Sequence, residues 1–171
     1  EDILNTDQRP KFEDYGSYIY VVVKMLDYDV KKGEIEIEQL SLILGPNYVI
    51  SFQERAGDFF GPLRERIRKS LGRVRKLGAD YLAYAILDII ADHYFVVLEK
   101  LGEKIEQLEE IVITNPGQHT VRAVHAIKRE MIFVRKSVWP LREVVTSLQR
   151  SESALIRESN AAYFRDLHDH I

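Results

Sequence analysis

The sequence predicts an α+β fold: a partial mixed or antiparallel sheet domain with helices, followed by a long antiparallel helical hairpin and the start of one more long helix. Three observations carry that reading. Val124, Ile127, Met131, Val134, Val138, Leu141, Val145 and Leu148 step by threes and fours through residues 119–150, the spacing of a heptad seam. Leu87, Ala91, Tyr94, Leu98, Leu101, Ile105, Leu108 and Val112 form the same kind of stripe, and Asn115, Pro116 and Gly117 lie between the two, as a hairpin of helices requires. Ahead of both, residues 18–53 hold β-branched and aromatic runs broken at Gly33 and at Gly45, Pro46 and Asn47.

In chain order, residues 1–9 read as the last turn of a helix, with Pro10 as its stop. Residues 18–29 and 34–44 then read as a β-hairpin, the second strand alternating as EIEIEQLSLIL, and residues 48–53 as a third strand of an antiparallel meander. Residues 58–70 have an acidic start and a basic end, which suits the dipole of a helix. The first long helix is expected over residues 79–113 and the second over 119–150, with a kink near Val138 and Trp139 because Pro140 lies inside it. Residues 153–171 keep helical spacing and carry no stop signal. The organisation expected is therefore 1–78 as the sheet-bearing part, 79–150 as the helix pair and 151–171 as the start of a further helix.

At 171 residues, with 46% apolar and 30% charged side chains, the chain has the composition of a folded globular protein with one core of ordinary size. A formal charge of −3 gives no reason to expect a nucleic-acid partner, and the plentiful acids favour a cation as the small partner. The absence of cysteine excludes disulfides, thiolate nucleophiles and cysteine-ligated zinc. Uninterrupted apolar runs such as residues 81–87 fall well short of the roughly 18 residues of a membrane span. The chain starts at Glu1 and stops at Ile171 within a helical pattern, so both ends read as cut.

No Gly-rich phosphate loop is present, and no histidine has a carboxylate three residues before it, so the di-iron pattern of helical bundles is missing. The arginines and lysines from Arg64 to Lys76 are the one basic block, read as a solvated helix face near acidic neighbours, with phosphate or nucleic-acid binding as the alternative. Asp166, His168, Asp169 and His170 form a cluster that reads as a polar helix end, with a transition-metal site as the alternative. His93, beside Asp92, reads as an interfacial histidine with a partner. Glu99, Glu103, Glu106, Glu109 and Glu110 crowd the first helix, where like charges repel; salt bridges to Arg122, Lys128, Arg129, Arg135 and Lys136 of the second are the expected answer, with attraction of cations to an acidic tip as the alternative. Asp88 stands inside the apolar run ADYLAYAILDIIADHYFVVL, and a buried aspartate is costly unless it is paired or holds a cation.

The segments EDILNTDQRPKFEDY, YVVVKMLDYD, EIEQLSLIL, SFQERAGDFFGPLRERIR, ADYLAYAILD, YFVVLEKL, KREMIFVRKSVWPLREVV and AAYFRDLHDH, taken in one register, resemble the cytoplasmic portion of the CorA family of magnesium and cobalt transporters. The stretch Trp139 to Glu143, followed by Tyr163, Phe164, Arg165 and Asp166, is the most specific part of the match. The resemblance implies an N-terminal α/β domain, two antiparallel helices hanging from it, and a stalk helix that starts at 151–171 and leads to a membrane span beyond this chain. It also implies a pentamer around a central pore in the cell membrane, with this part on the cytoplasmic face. The family's glycine-methionine-asparagine signature and the front of its N-terminal domain are not in the sequence.

The same resemblance implies Mg²⁺ sensing between neighbouring subunits, with Co²⁺ or another divalent cation able to substitute. Asp2 corresponds to a carboxylate facing Asp166 of the next protomer, and Glu1 and Asp88 correspond to contributors to a second site nearby. Hard oxygen donors suit an ion that keeps several of its waters. The expected function is a non-enzymatic regulatory domain that holds the pore closed when Mg²⁺ is bound. The alternative is a helical scaffold that binds partner helices along the hairpin seam; a carboxylate hydrolase finds no supporting spacing.

Overall fold

The computed structural model describes residues 2–114 and 117–171, so Glu1 and the Asn115–Pro116 turn lie outside the described residues. A short 3-10 helix at Asp2–Leu4 leads into a four-stranded antiparallel sheet in sequence order: β1 (Lys11–Asp14), β2 (Ile19–Asp29), β3 (Glu34–Leu44) and β4 (Val49–Gln53). β2 and β3 pair along their full length, from Ile19 opposite Leu44 to Asp29 opposite Glu34. Their turn closes through the Gly33 amide donating to the Asp29 carbonyl at 2.7 Å, with Gly33 at φ +67°, a conformation that costs a side-chain-bearing residue dearly. β1 is one strand more than the three expected. Its four residues are too few to show a period, and Lys11 and Glu13 mask the single inward Phe12.

Helix α1 (Gly61–Arg68) is shorter than the expected 58–70, with Pro62 in its first turn. Asp58 stands just ahead of it, accepting from the Phe60 amide at 3.0 Å and from Arg64, and this guanidinium holds the Asp58 carboxyl below its usual range. The basic block is answered locally: Arg68 and Lys69 pair with Glu65, Arg73 donates to the Tyr163 phenol at 2.6 Å, and Arg75 donates to Ser70 Oγ at 2.8 Å.

Helices α2 (Gly78–Thr114) and α3 (Gln118–Arg150) form the hairpin. One continuous core joins them to the sheet, with Ile19, Val23, Leu40, Leu44, Leu87, Ile90, Val97, Leu141 and Val145 each withdrawn from solvent. The most apolar 18 residues of α2 have the length and composition of a membrane span, yet half of them are buried inside the fold, as in a core helix. The seam is less continuous than its spacing. Ile127, Val134, Leu141, Val145 and Leu148 are buried, but Val124 is 46% and Met131 52% exposed. Towards the hairpin tip there is no sheet beneath the helices, and two helices alone cover only a narrow stripe.

α3 stays helical through the buried Pro140, which removes one backbone donor from the ladder. The last segment departs from expectation. Residues 151–157 leave the helical path, a 3-10 turn follows at Glu158–Asn160, and helix α4 (Ala161–His170) begins only after it. The cause is tertiary: the Arg157 amide donates to Asp80 of α2 instead of continuing a helical ladder.

Candidate functional site

The candidate surface is built where α4 lies against α2. Phe164 and Leu167 of α4 are buried and set its orientation, which leaves Asp166 and Asp169 exposed. Tyr84 of α2 is the hub: its ring lies 5.2 Å from Tyr163 and 6.0 Å, edge-on, from Phe164. One turn further along α2, half-buried Asp88 faces the Tyr84 phenol closely enough for the two to perturb each other. Burial first, then the charge of Asp88, pushes the phenol above its usual range, and the charge of Asp166 adds to this. Asp88 and Asp166, on two helices, therefore both act on the charge state of the same tyrosine.

The Asp88 carboxyl is itself pushed up, first by burial and then by Asp92 one turn away, while the Tyr84 phenol, His170 and Arg66 pull the other way. Neither Asp88 nor Asp166 makes an ion pair among the described residues. Asp92 has His170 Nε2 at 3.8 Å, and that imidazole stacks on Phe95 with ring centroids 5.0 Å apart.

Of the four residues singled out from the sequence, Asp88 and Asp166 each act electrostatically on Tyr84, and no direct contact joins the two carboxylates among the described residues. Asp2 opens the N-terminal 3-10 helix, and Glu1 lies outside the described residues. No group of three or more acidic, histidine or cysteine side chains converges as a metal cage among the described residues. The Asp166, His168, Asp169 and His170 cluster in particular splits up, His168 facing Asp169 at 3.3 Å and His170 facing Asp92. His93 has the partners expected of an interfacial histidine: Asp27 Oδ1 at 3.1 Å and the Phe59 ring at 4.0 Å.

The salt bridges expected between the glutamates of α2 and the bases of α3 do not form among the described residues. The pair that links the two helices has the reverse polarity, Lys104 of α2 to Glu130 of α3 at 2.8 Å. The glutamates near the tip point to solvent, where water screens them more cheaply than an ordered pair of long side chains. Sequence reasoning also missed Tyr84 and the buried Asp80, since their partners lie 70 to 80 positions away and leave no local pattern.

The exposed acidic groups of this surface are hard oxygen donors. The available groups are carboxylate oxygens, one of them half-buried and crowded by a second acid, and a bound cation reverses the penalty on both.

The family model described as CorA-like Mg2+ transporter protein matches residues 1–171. A cobalt/magnesium transport protein CorA of Thermotoga maritima is 49% identical over 170 residues, covering 99% of this chain and 48% of that protein. The putative metal ion transporter YfjQ of Bacillus subtilis is 24% identical over 171 residues, covering all of this chain and 52% of that protein. The chain thus spans about half the length of these relatives. Among solved structures, the soluble domain of CorA from Methanocaldococcus jannaschii superposes with a TM-score of 0.83 at 19% identity, over 98% of this chain and 66% of that one. The complete CorA magnesium transporter of the same organism gives 0.85, over 99% of this chain and 53% of that one. With fold and sequence in agreement along its whole length, the chain belongs to the CorA-like Mg²⁺ transporter family.

Proposed function

We propose that this chain is the cytoplasmic regulatory part of a CorA-type Mg²⁺/Co²⁺ transporter, and that it responds to Mg²⁺ rather than catalysing a reaction. Divalent cations bridge carboxylates of neighbouring copies, Asp2, Asp88 and Asp166 with Glu1 contributing, and so hold a pentamer and its pore in the closed arrangement. The observation that carries the reading is Asp88: a half-buried carboxylate, disfavoured by burial and by Asp92, with no cationic side chain bonded to it among the described residues. Asp166 on the adjoining helix gives the same surface a second acid.

Without a cation, such groups repel across a contact between copies; with one, the contact closes. A ligand shifts this balance only by binding the closed state more tightly, and bridging supplies that difference. The family match and the cobalt/magnesium transport assigned to the Thermotoga maritima relative support the choice of ion.

The test is a Mg²⁺ titration of the intact protein, read by protease protection and thermal stability, alongside Asp88→Asn and Asp166→Ala. Protection should rise over the millimolar range in the parent and weaken in both variants. If Mg²⁺ changes neither readout and the variants match the parent, the regulatory reading fails. The exposed Val121, Val124 and Met131 on α3 would then favour a scaffold that binds partner helices.

A further inference from the structure

Asp80, in the first turn of α2, is 1% exposed and lies outside the acidic surface described above. Its Oδ2 accepts from Asn160 Nδ2 at 2.8 Å and from the Arg157 amide at 3.0 Å. Asn160 Nδ2 also donates to the Leu77 carbonyl at 3.0 Å. Arg157 Nε stands 3.7 Å from Asp80 Oδ1, and its guanidinium presses on Gly78 so closely that a Cβ there would fall 1.5 Å from Nη2. Arg73, a few residues earlier, holds the Tyr163 phenol. The segment that opens α2 thus grips the segment that opens α4, across 77 to 90 positions of sequence.

A buried carboxylate is a poor choice if cohesion is all that is needed, since apolar residues of the same size pack as well without the desolvation cost. Its directional bonds fix something apolar contacts leave free, namely the register between two elements. Here the elements are the two helices that carry the acidic surface. Asp80 lies eight positions before Asp88 on α2, and Asn160 lies six before Asp166, at the entry to α4. A helix is rigid over that length, so the joint at Asp80 and Asn160 sets where both carboxylates stand.

We infer that Asp80 and Asn160 are positioning residues for the divalent-cation response: they hold α4 in one register on α2, so that ions captured at Asp88 and at Asp166, each with a neighbouring copy, act on the two helices as a unit. This rests on the reading of Asp88 and Asp166 as cation ligands. Loosening the joint leaves both ligands in place but lets their spacing wander, which lowers affinity without removing a donor.

The chain has no cysteine, so single cysteines introduced at the exposed positions Val96 on α2 and Arg165 on α4 accept spin labels selectively. In the intact protein, Asp80→Asn and Asn160→Ala are expected to broaden the interlabel distance distribution and to raise the Mg²⁺ midpoint of protease protection about tenfold. The double variant Asp80→Asn with Asn160→Asp, which exchanges the amide and the carboxylate, should recover part of that shift. Arg157→Lys, which keeps the backbone donor, gives a smaller step in the same direction and serves if the stronger variants fold poorly. Variants that lose thermal stability but keep the parental midpoint and distances overturn the inference. A parent that ignores Mg²⁺ overturns instead the reading of Asp88 and Asp166 on which it rests.

Discussion

Lys104 of α2 reaches both carboxylate oxygens of Glu130 on α3, at 2.8 and 2.9 Å, and donates as well to the Gly33 carbonyl in the β2–β3 turn at 2.7 Å. One ammonium thereby ties the two hairpin helices to the far end of the sheet. Both side chains are largely withdrawn from solvent, at 25% and 13% exposed, so the contact is not a solvated surface pair. Glu130→Ala should destabilise the fold by about 1–3 kcal/mol, because it leaves a partly buried charge with one acceptor fewer. Urea unfolding would read this as a lower midpoint at unchanged slope; a midpoint equal to the parent's removes Lys104 and Glu130 from the account of the hairpin.

The split seam of α3 predicts a graded response to truncation. Leu141 is fully buried, and Leu141→Ala should cost about 2–5 kcal/mol through lost burial and the cavity left behind. Met131, on the same heptad register but half-exposed, should lose less than about 0.5 kcal/mol as Met131→Ala. Equal losses at the two sites, measured by thermal or denaturant unfolding, would mean that the tip half of the hairpin is as well packed as the base.

Asp88 predicts a pH dependence of definite sign. Its carboxyl is pushed above the ordinary 3.8, so the folded chain holds this proton more tightly than the unfolded chain does. The contribution of Asp88 is therefore unfavourable once pH exceeds the raised folded value, and is relieved as pH falls through that value towards 3.8. Asp88→Asn removes the charge and keeps an oxygen facing Tyr84. It should stabilise the protein at neutral pH without divalent cations, by no more than about 0.5 kcal/mol given the solvent around this half-exposed group. The gain over the parent should vanish near pH 3. A difference in melting temperature that stays flat from pH 3 to 8 contradicts a burial-strained carboxylate.

Tyr94, buried at 3% exposed, donates its phenol to the Lys24 carbonyl of β2, and burial pushes that phenol above its usual range. Tyr94→Phe keeps the ring and deletes the donor, with an expected loss of about 0.5–1.5 kcal/mol. Calorimetry of the pair measures it, and an unchanged melting temperature would show that water replaces the phenol.

Gly78 combines φ +85° with the Arg157 guanidinium against its Cα. Gly78→Ala should cost about 1 kcal/mol or more from the left-handed backbone alone. Since Arg157 is a flexible side chain and the backbone is not, that cost should persist in an Arg157→Ala background. Its disappearance there would assign the penalty to crowding instead.

The parts of this fold legible in the sequence are those set by short-range patterns. β2 and β3 announce themselves through alternation and Gly33, and both long helices through their stripes, to within a residue or two of the observed ends. What stayed hidden depends on partners distant in sequence. Residues 153–157 have helical spacing, yet Asp80 draws the Arg157 amide away from a helical ladder. The glutamates of α2 and the bases of α3 match in number and sign but not in position, and Lys104 with Glu130 supplies the link instead. For the site, Asp88 was visible as a charge inside an apolar run, whereas Asp166 stood out only within its cluster with His168, Asp169 and His170, and its pairing with Asp2 of a neighbouring copy came from the family resemblance. Tyr84, on which both acids act, gave no local sign.

Among the described residues β4 is an outer strand of the sheet, and its Ile50 and Phe52 are 44% and 40% exposed. Nothing within VISFQ is charged or proline, the usual means by which natural proteins keep such a border from pairing with a stranger. Preparations of these 171 residues at high concentration should accordingly self-associate through that rim, and a lysine at Phe52 should keep them dispersed.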